Sequence, residues 1–267
     1  MKQKSRSLLE QKLKKLQYQN FVIDEIDINI DLVKEMSFYR VAKIAKKIHL
    51  CEPLRIFSLT DITKIFYIEQ DIRQDLTNII SYWEIHLRSI LSEYYEVWYG
   101  PHGYKEKKHF FDPTTHKILL AKIAKQLDMK SQYEVIEERN IHNLADLPIW
   151  YALEVSTMHM LTLFYQILTV DKQEAIAEHF GVSSIIFSSW LSFILVVRNA
   201  CAHQGLLFNR TFDRSVILPA TEAANVGGAY YILNTLLAKT EFMLKFRRDK
   251  SSKNFLGYEW VKKYYSL

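Results

Sequence analysis

The residues that interrupt regular structure are scarce in this chain: seven glycines and five prolines are spread over 267 residues. Turns are therefore few and the segments between them long, which favours helices over the closely spaced hairpins of a many-stranded sandwich. The apolar share, 49%, is enough to fill the core of one large domain or two modest ones. The glycine-rich phosphate loops G-x-x-x-x-G-K-[ST] and G-x-G-x-x-G do not occur in the sequence, so nucleotide hydrolysis by those routes is not expected.

Apolar periodicity marks out the helices. In residues 31–50, DLVKEMSFYRVAKIAKKIHL, positions Leu32, Met36, Tyr39, Ala42 or Lys43, and Ala45 recur at helical spacing until Pro53 breaks the run. Ser58 or Thr60 offers a cap. From about Asp71 to Tyr99 the series Ile72, Leu76, Ile79, Trp83, Leu87 and Ile90 predicts the longest helix, stopped by Gly100 and Pro101. A polar, basic and aromatic loop at 101–113 precedes a helix from Thr114 or Thr115 to about Glu138. Residues 148–170 are expected to form one more, with Pro148 in its favourable first turn. Asp171 opens a short helix closed by Gly181. Ser183 or Ser184 can cap the next, whose end falls near Gly205, and a last helix is expected from Thr221 to about Arg247. A short extended piece is expected at Ser215–Leu218. Without repeats or linkers, the chain reads as a single all-α domain, 1–267, with a basic N-terminal extension (1–30), a helical core (31–247) and a basic, aromatic tail (248–267).

The formal charge of +5 and pI near 8.9 suit a polyanionic partner but are shared by many proteins that have none. Basic residues cluster in KQKSRSLLEQKLKK at the start, AKKIH at 45–49, YKEKKH at 104–109 and KFRRDKSSK near the end. Each cluster reads either as a solvated face or as a phosphate contact. Tyr94, Tyr95, Trp98, Tyr99 and Tyr104, next to Lys105, Lys107, Lys108 and His109, either stack bases or belong to the core. The tail offers the same choice at Arg247, Arg248, Lys250, Lys253, Lys262 and Lys263. Cys51 and Cys201 lie outside any C-x-x-C pattern, so a reducing, cytoplasmic setting is expected. His86, His159 and His179 stand apart from carboxylate or cysteine clusters, and no metal ligand set is expected. The most apolar run, SIIFSSWLSFILVV, carries four serines and meets Arg198. It falls short of the roughly 18–20 apolar residues that a membrane span needs, so a soluble protein is expected.

That run leads into VVRNACAHQG, residues 196–205. On a regular helix Ser192, Asn199 and His203 share one stripe, because steps of seven and four return to nearly the same direction. The helix is otherwise apolar on every side and is expected to be buried, which leaves its polar stripe in need of partners. Arg198 points more than a quarter-turn from His203 and needs its own carboxylate or anion. Either Arg198 pairs with an acid while His203 satisfies helix-terminal carbonyls, or both act on a substrate. Regular geometry does not bring them together; fraying before Gly205, or a second copy of the motif, does. Glu84 and Arg88, four residues apart, suit an intrahelical ion pair, and Glu84 or Glu154 can alternatively orient Arg198.

The segments WEIHLRS at 83–89, PIWYALE at 148–154 and SSWLSFILVVRNACAHQGLLFNR, ending at Arg210, occur in the order and approximate spacing of the bacterial abortive-infection (Abi-like, AbiD/AbiF) family. The chain resembles that family from about Met36 to Arg210. The family is placed in the HEPN superfamily, all-helical proteins in which an R-x(4–6)-H motif marks many ribonucleases. The resemblance implies a HEPN-like helical bundle with additional helices. It implies catalytic roles for Arg198 and His203, with Asn199 the polar residue after the arginine. It also implies support from Glu84, Arg88 and Glu154, the last within a segment that includes Pro148 and Trp150. Arg73, in DIRQD, matches a further family position and reads as structural. Where the family often has A-H-H-S-R-L-W-N-R, this chain has Gln204, Gly205, Leu206, Leu207 and Phe208 before Asn209 and Arg210, so the second histidine and the middle arginine are missing.

The chemistry so implied needs neither metal nor cofactor. The 2′-hydroxyl of RNA attacks the adjacent phosphorus, histidine with its ordinary pKa near 6.5 moves the proton, and arginine holds the phosphoryl oxygens by paired hydrogen bonds. Lys105, Lys107, Lys108, Asn209 and Arg210 are expected RNA contacts. One His203 per chain supplies one proton-transfer group, so a homodimer that joins two motif helices is expected to complete the site. The resemblance implies a cytoplasmic antiphage toxin acting on RNA, with a small noncoding RNA or an antitoxin as partner. The alternatives are a non-catalytic RNA-binding regulator of the same fold and a protein-binding sensor. Salt-dependent nucleic-acid affinity separates these last two.

Overall fold

The structure, a computed structural model, describes residues 2–16, 20–22, 31, 33–129, 143–212, 215–220, 222–238 and 240–241. It is all-helical apart from one short parallel pairing, in which Phe21 and Val22 (β1) lie beside Phe57 and Ser58 (β2). The helices are α1 (Lys2–Leu16), α2 (Phe38–Cys51), α3 (Leu59–Tyr99), α4 (Pro113–Met129), α5 (Ile149–Glu154), α6 (Met158–Gln166), α7 (Val170–His179), α8 (Ser184–Ala202) and α9 (Val226–Leu236).

The spine is α3, 41 residues long and so about 60 Å from end to end. It begins in a reciprocal capping box: the Asp61 amide donates to Ser58 Oγ at 3.4 Å, and the Ser58 amide donates to Asp61 Oδ2 at 2.9 Å. It stops at Gly100, whose φ of +70° lies in the left-handed region. Helices α2, α5, α6, α7, α8 and α9 all pack against it. Its buried Trp83 meets Phe180 and Phe187 edge-on, with ring centroids 5.2 and 6.2 Å away. Buried Tyr95 donates its hydroxyl to the Phe164 carbonyl at 2.6 Å, so the polar tip of a core aromatic is satisfied.

Several boundaries differ from the periodicity reading. The predicted α3 starts twelve residues further along, at Asp71, whereas the helix runs unbroken from Leu59. The run 31–50 is interrupted at Ser37, with φ 64°. The run 148–170 is two helices, because the Ser156 hydroxyl turns back to the Ala152 carbonyl at 2.6 Å and Thr157 caps a new start at the Met160 amide. The last helix begins at Val226, capped by Asn225, rather than at 221. Residues 215–218 form no strand; Ile217 is instead fastened to α8, its amide donating to Ser189 Oγ at 2.8 Å and its carbonyl accepting from Trp190 Nε1 at 2.7 Å. Within the first thirty residues α1 packs on α2 and buries Leu13 and Leu16, while Phe21 faces Phe57 at 5.6 Å, so this stretch contributes to the core as well as charge. The expected helical stretches at 130–138 and 242–247 and the basic tail at 248–267 lie outside the described residues.

Helix α8 has the length and apolarity of a membrane-crossing helix. Here it is a core helix: Phe187, Trp190, Leu191, Ile194, Val197 and Cys201 are buried, and α3, α6, α7 and α9 surround it.

Candidate functional site

The apolar character of α8 gives way at its C-terminal end, where a helix leaves carbonyls without partners. The chain closes this end in a two-bond wrap: the Gly205 amide donates to the Ala200 carbonyl at 2.8 Å and the Gln204 amide to the Cys201 carbonyl at 3.2 Å. Gln204 occupies the left-handed position, φ 54°. Gly205, one residue later, lies so close that a Cβ there would come within 3.3 Å of the Ala200 carbonyl.

A buried guanidinium finishes the cap. Arg73 on α3 donates from Nη1 to the Ala200 carbonyl at 3.1 Å and from Nη2 to the Gly205 carbonyl at 2.8 Å. One turn earlier on α3, Glu69 is fully buried and stands 3.7 Å from Arg73. Its Oε1 accepts the backbone amides of Leu207 and of Phe208, the latter at 2.7 Å. Burial pushes the Glu69 carboxyl above the usual carboxylate range, against the opposing pull of the two amides, Arg73 and Arg40. Arg40 on α2 adds a third clamp, donating to the Gln204 carbonyl at 3.1 Å. Asn209, φ 44°, donates through its side-chain amide to Cys51 Sγ at the end of α2. The turn at 203–210 is thus held by three side chains from α2 and α3 and by its own Asn209. Neither Glu69 nor Arg40 stands out in the sequence. The only available signal was a charged residue on an otherwise apolar helix face.

Arg198 is placed differently. Its side chain is 40% exposed and Nε donates to Glu84 Oε1 at 3.3 Å. The other carboxylate oxygen of Glu84 lies 3.8 Å from Arg88 Nη2. Arg88 is anchored in turn, from Nε to the Leu153 carbonyl at 3.0 Å and from Nη2 to the Ser156 carbonyl at 2.8 Å, at the end of α5. Of the two acids proposed to orient Arg198, the structure brings in Glu84. Glu154 is exposed on α5 and joins no ion pair among the described residues. One carboxylate between two guanidiniums leaves an excess of positive charge. Among the described residues the terminal nitrogens of Arg198 have no protein partner. Arg198 lines a cleft of about 210 Å³, together with Thr77, Ile80, Ser81 and Glu84 of α3 and Cys201 and Ala202 of α8. Burial pushes the Cys201 thiol up to about 11, so it stays protonated in the cleft wall.

The expectation of a buried polar stripe on α8 needs correction. Asn199 and His203 are exposed, because they lie on the face of α8 turned away from the core, while Val197, Ala200 and Cys201 on its other face stay buried. His203 is the residue that ends the helix, φ −93° and ψ 16°, and its ring is neither hydrogen-bonded nor ion-paired among the described residues. Arg198 and His203 both stand near the end of α8, but among the described residues no hydrogen bond or ion pair joins them: Arg198 is oriented by a carboxylate and lines the cleft, and His203 is not part of the lining.

The other sequence candidates lie elsewhere. Lys105 donates to the Ala145 carbonyl at 2.5 Å and approaches His102 Nδ1 at 2.9 Å. Lys108 pairs with Glu106 at 2.6 Å, while Lys107 is exposed. Tyr104 is buried and donates to the Leu147 carbonyl at 2.9 Å. Of the basic, aromatic loop, Lys107 alone among these residues is uncommitted. Arg210 lies with its guanidinium 4.9 Å from the centre of the Phe212 ring. Among the described residues no three His, Cys, Asp or Glu side chains gather as metal ligands.

An all-α core built on one long spine, with an exposed Arg/His pair at the end of its most apolar helix, is the class of protein these observations define. Residues 31–209 match the family described as Abi-like protein. The match covers most of the chain and includes Glu84, Arg88, Arg198 and His203, and the chain belongs to that family: it is an abortive-infection-type protein. Comparison with curated proteins and with solved structures returned no match.

Proposed function

We propose that this chain is a metal-independent endoribonuclease of the HEPN type, acting in the cytoplasm as the toxin of a bacterial antiphage system, with Arg198 and His203 catalytic and Asn199 beside them. The observation that carries the reading is the setting of Arg198. Glu84, steadied by Arg88, holds it by Nε beside a cleft that Arg198 lines, and among the described residues no partner takes its two terminal nitrogens, the half of a guanidinium that pairs with phosphoryl oxygens. The reaction follows from RNA's own nucleophile. A histidine takes the 2′-hydroxyl proton, O2′ bonds to phosphorus, the bond from phosphorus to O5′ breaks, and a second histidine gives O5′ its proton. Arginine stabilises the charge on the phosphoryl oxygens meanwhile. The products are a 2′,3′-cyclic phosphate and a 5′-hydroxyl.

One chain offers His203 once. The exposure of Asn199 and His203 supports a site completed by a second copy, whose own His203 serves as the other proton-transfer group. RNA is the substrate, and a small noncoding RNA or an antitoxin the partner that keeps the toxin silent. A second reading, a non-catalytic RNA-binding regulator, is favoured by one feature: no carboxylate or carbonyl orients His203 among the described residues. RNA matched in sequence with its 2′-O-methyl counterpart tests the choice. The ribonuclease reading expects cleavage of the first only, and binding of both without cleavage of either replaces it with the regulator.

A further inference from the structure

A second opening, of about 370 Å³, lies between α2 and the loop that follows the turn at 203–205. One wall is α2. Tyr39, Lys43, Lys46, Lys47 and Leu50 are spaced by four, three, one and three residues, which puts all five on one helix stripe. Tyr39 is 72% exposed, and Lys43 Nζ stands 5.6 Å from its ring centre. Leu206, Phe208 and Arg210 of the motif loop form the opposite wall.

Among the described residues Lys43, Lys46, Lys47 and Arg210 have no ion-pair partner, and no acidic residue lines the opening. Like charges on successive helix turns repel unless an anion joins them. The groove is also fixed in shape, since Arg40 to Gln204 and Asn209 to Cys51 stitch α2 to the loop on which Arg210 stands. A rigid track of four cations ending at an exposed aromatic ring suits a single nucleic-acid strand, with phosphates along the lysines and a base on Tyr39.

We infer that the groove between α2 and residues 206–210 binds the phosphodiester backbone of an RNA strand, through Lys43, Lys46, Lys47 and Arg210, and leads that strand to the His203 end of α8. Only the last step, delivery to His203, rests on the ribonuclease reading; binding in the groove does not.

The test uses the full chain and a fluorescent 2′-O-methyl oligoribonucleotide, which lacks the attacking hydroxyl, so binding is read whether or not the protein cleaves RNA. Affinity is measured against salt for the native protein, for the Lys43→Gln, Lys46→Gln, Lys47→Gln triple variant, and for a charge-matched control, Lys117→Gln, Lys122→Gln, Lys125→Gln, on α4. Each variant is used only if its urea midpoint is native. The groove variant is expected to bind at least about tenfold more weakly and to lose about two from the slope of log K against log salt, three phosphate contacts at roughly 0.7 each; the control keeps native affinity and slope. Equal behaviour of the groove variant and the native protein overturns the inference, as does an equal loss in both variants. Anionic vesicles that bind the native protein through these lysines, with no oligonucleotide binding, overturn it in favour of a lipid surface. Retained groove binding in a protein that never cuts RNA overturns the ribonuclease reading and leaves the groove standing.

Discussion

Arg73 and Arg198 stand on neighbouring helices in opposite circumstances, and the difference sets what each can do. At 5% side-chain exposure, Arg73 directs its donors into the end of α8 and sits against Glu69. Removing it takes the nearest cation from a buried carboxylate and the guanidinium donors from the end of α8, so Arg73→Ala is expected to cost about 3–5 kcal/mol in urea unfolding. Arg73→Lys, without the planar fork, recovers little of this. Arg198, at 40% exposure, gives up one partly exposed ion pair when replaced, a loss of about 1 kcal/mol or less. Arg198→Ala should therefore unfold close to the native midpoint while losing a hundredfold or more in cleavage rate, on the order seen when one electrostatic transition-state contact is removed. A stability loss as large for Arg198→Ala as for Arg73→Ala, by the same urea titration, counts against a functional role for the exposed arginine.

At the scale of elements, α3 carries the fold and its two ends are set locally. Ser58→Ala removes half of the capping box and is expected to cost about 1 kcal/mol, read by chemical denaturation. Further along, His86 packs among Trp83, Phe180 and His179, with ring centroids 5.9–6.4 Å away. Burial first, and the His179 charge second, hold its pKa below the ordinary histidine value. The folded state thus prefers neutral His86: the stability this contributes is present above about pH 6.5 and is lost as pH falls through the lower, folded-state pKa. Denaturation midpoints at pH 7.5 and 5.5 should therefore draw closer together in His86→Gln than in the native protein. The helices themselves were legible because apolar spacing and capping residues act over a few positions. The N-terminal turns of α3 were missed because their buried stripe, Ile62, Ile65, Glu69 and Arg73, contains two charges that read as a solvated face until each has its partner from the turn at 200–208. The break at 155–157 lacks glycine or proline; it is made by Ser156 and Thr157 hydroxyls, whose choice between helix and cap depends on packing.

Across the whole molecule, the Arg198 setting collects residues far apart in the chain: Glu84 and Arg88 from the spine, the carbonyls of Leu153 and Ser156 at the end of α5, and Arg198 from α8, with His203 as the residue that ends that helix. The Glu84/Arg88 pair was visible as an i, i+4 spacing, and its reach to Arg198 was one of two options that the sequence left open. Glu69, Arg40 and the basic groove of α2 were not visible as parts of one neighbourhood, since nothing local ties residues 40–47 to residues 204–210. One exposed His203 per chain, at the end of α8, leads to a concentration test: if a second copy completes the site, specific activity should rise with protein concentration alongside the dimer fraction measured by sedimentation. Activity per chain that stays constant down to fully monomeric protein contradicts the shared site. The central claim is tested most directly by incubating the native protein, Arg198→Ala and His203→Ala, each with a native urea midpoint, with mixed single-stranded and structured RNA in excess EDTA and identifying the product ends. The account predicts 2′,3′-cyclic phosphate and 5′-hydroxyl ends from the native protein and none from either variant. Cleavage that persists in both variants, or that EDTA abolishes, contradicts it.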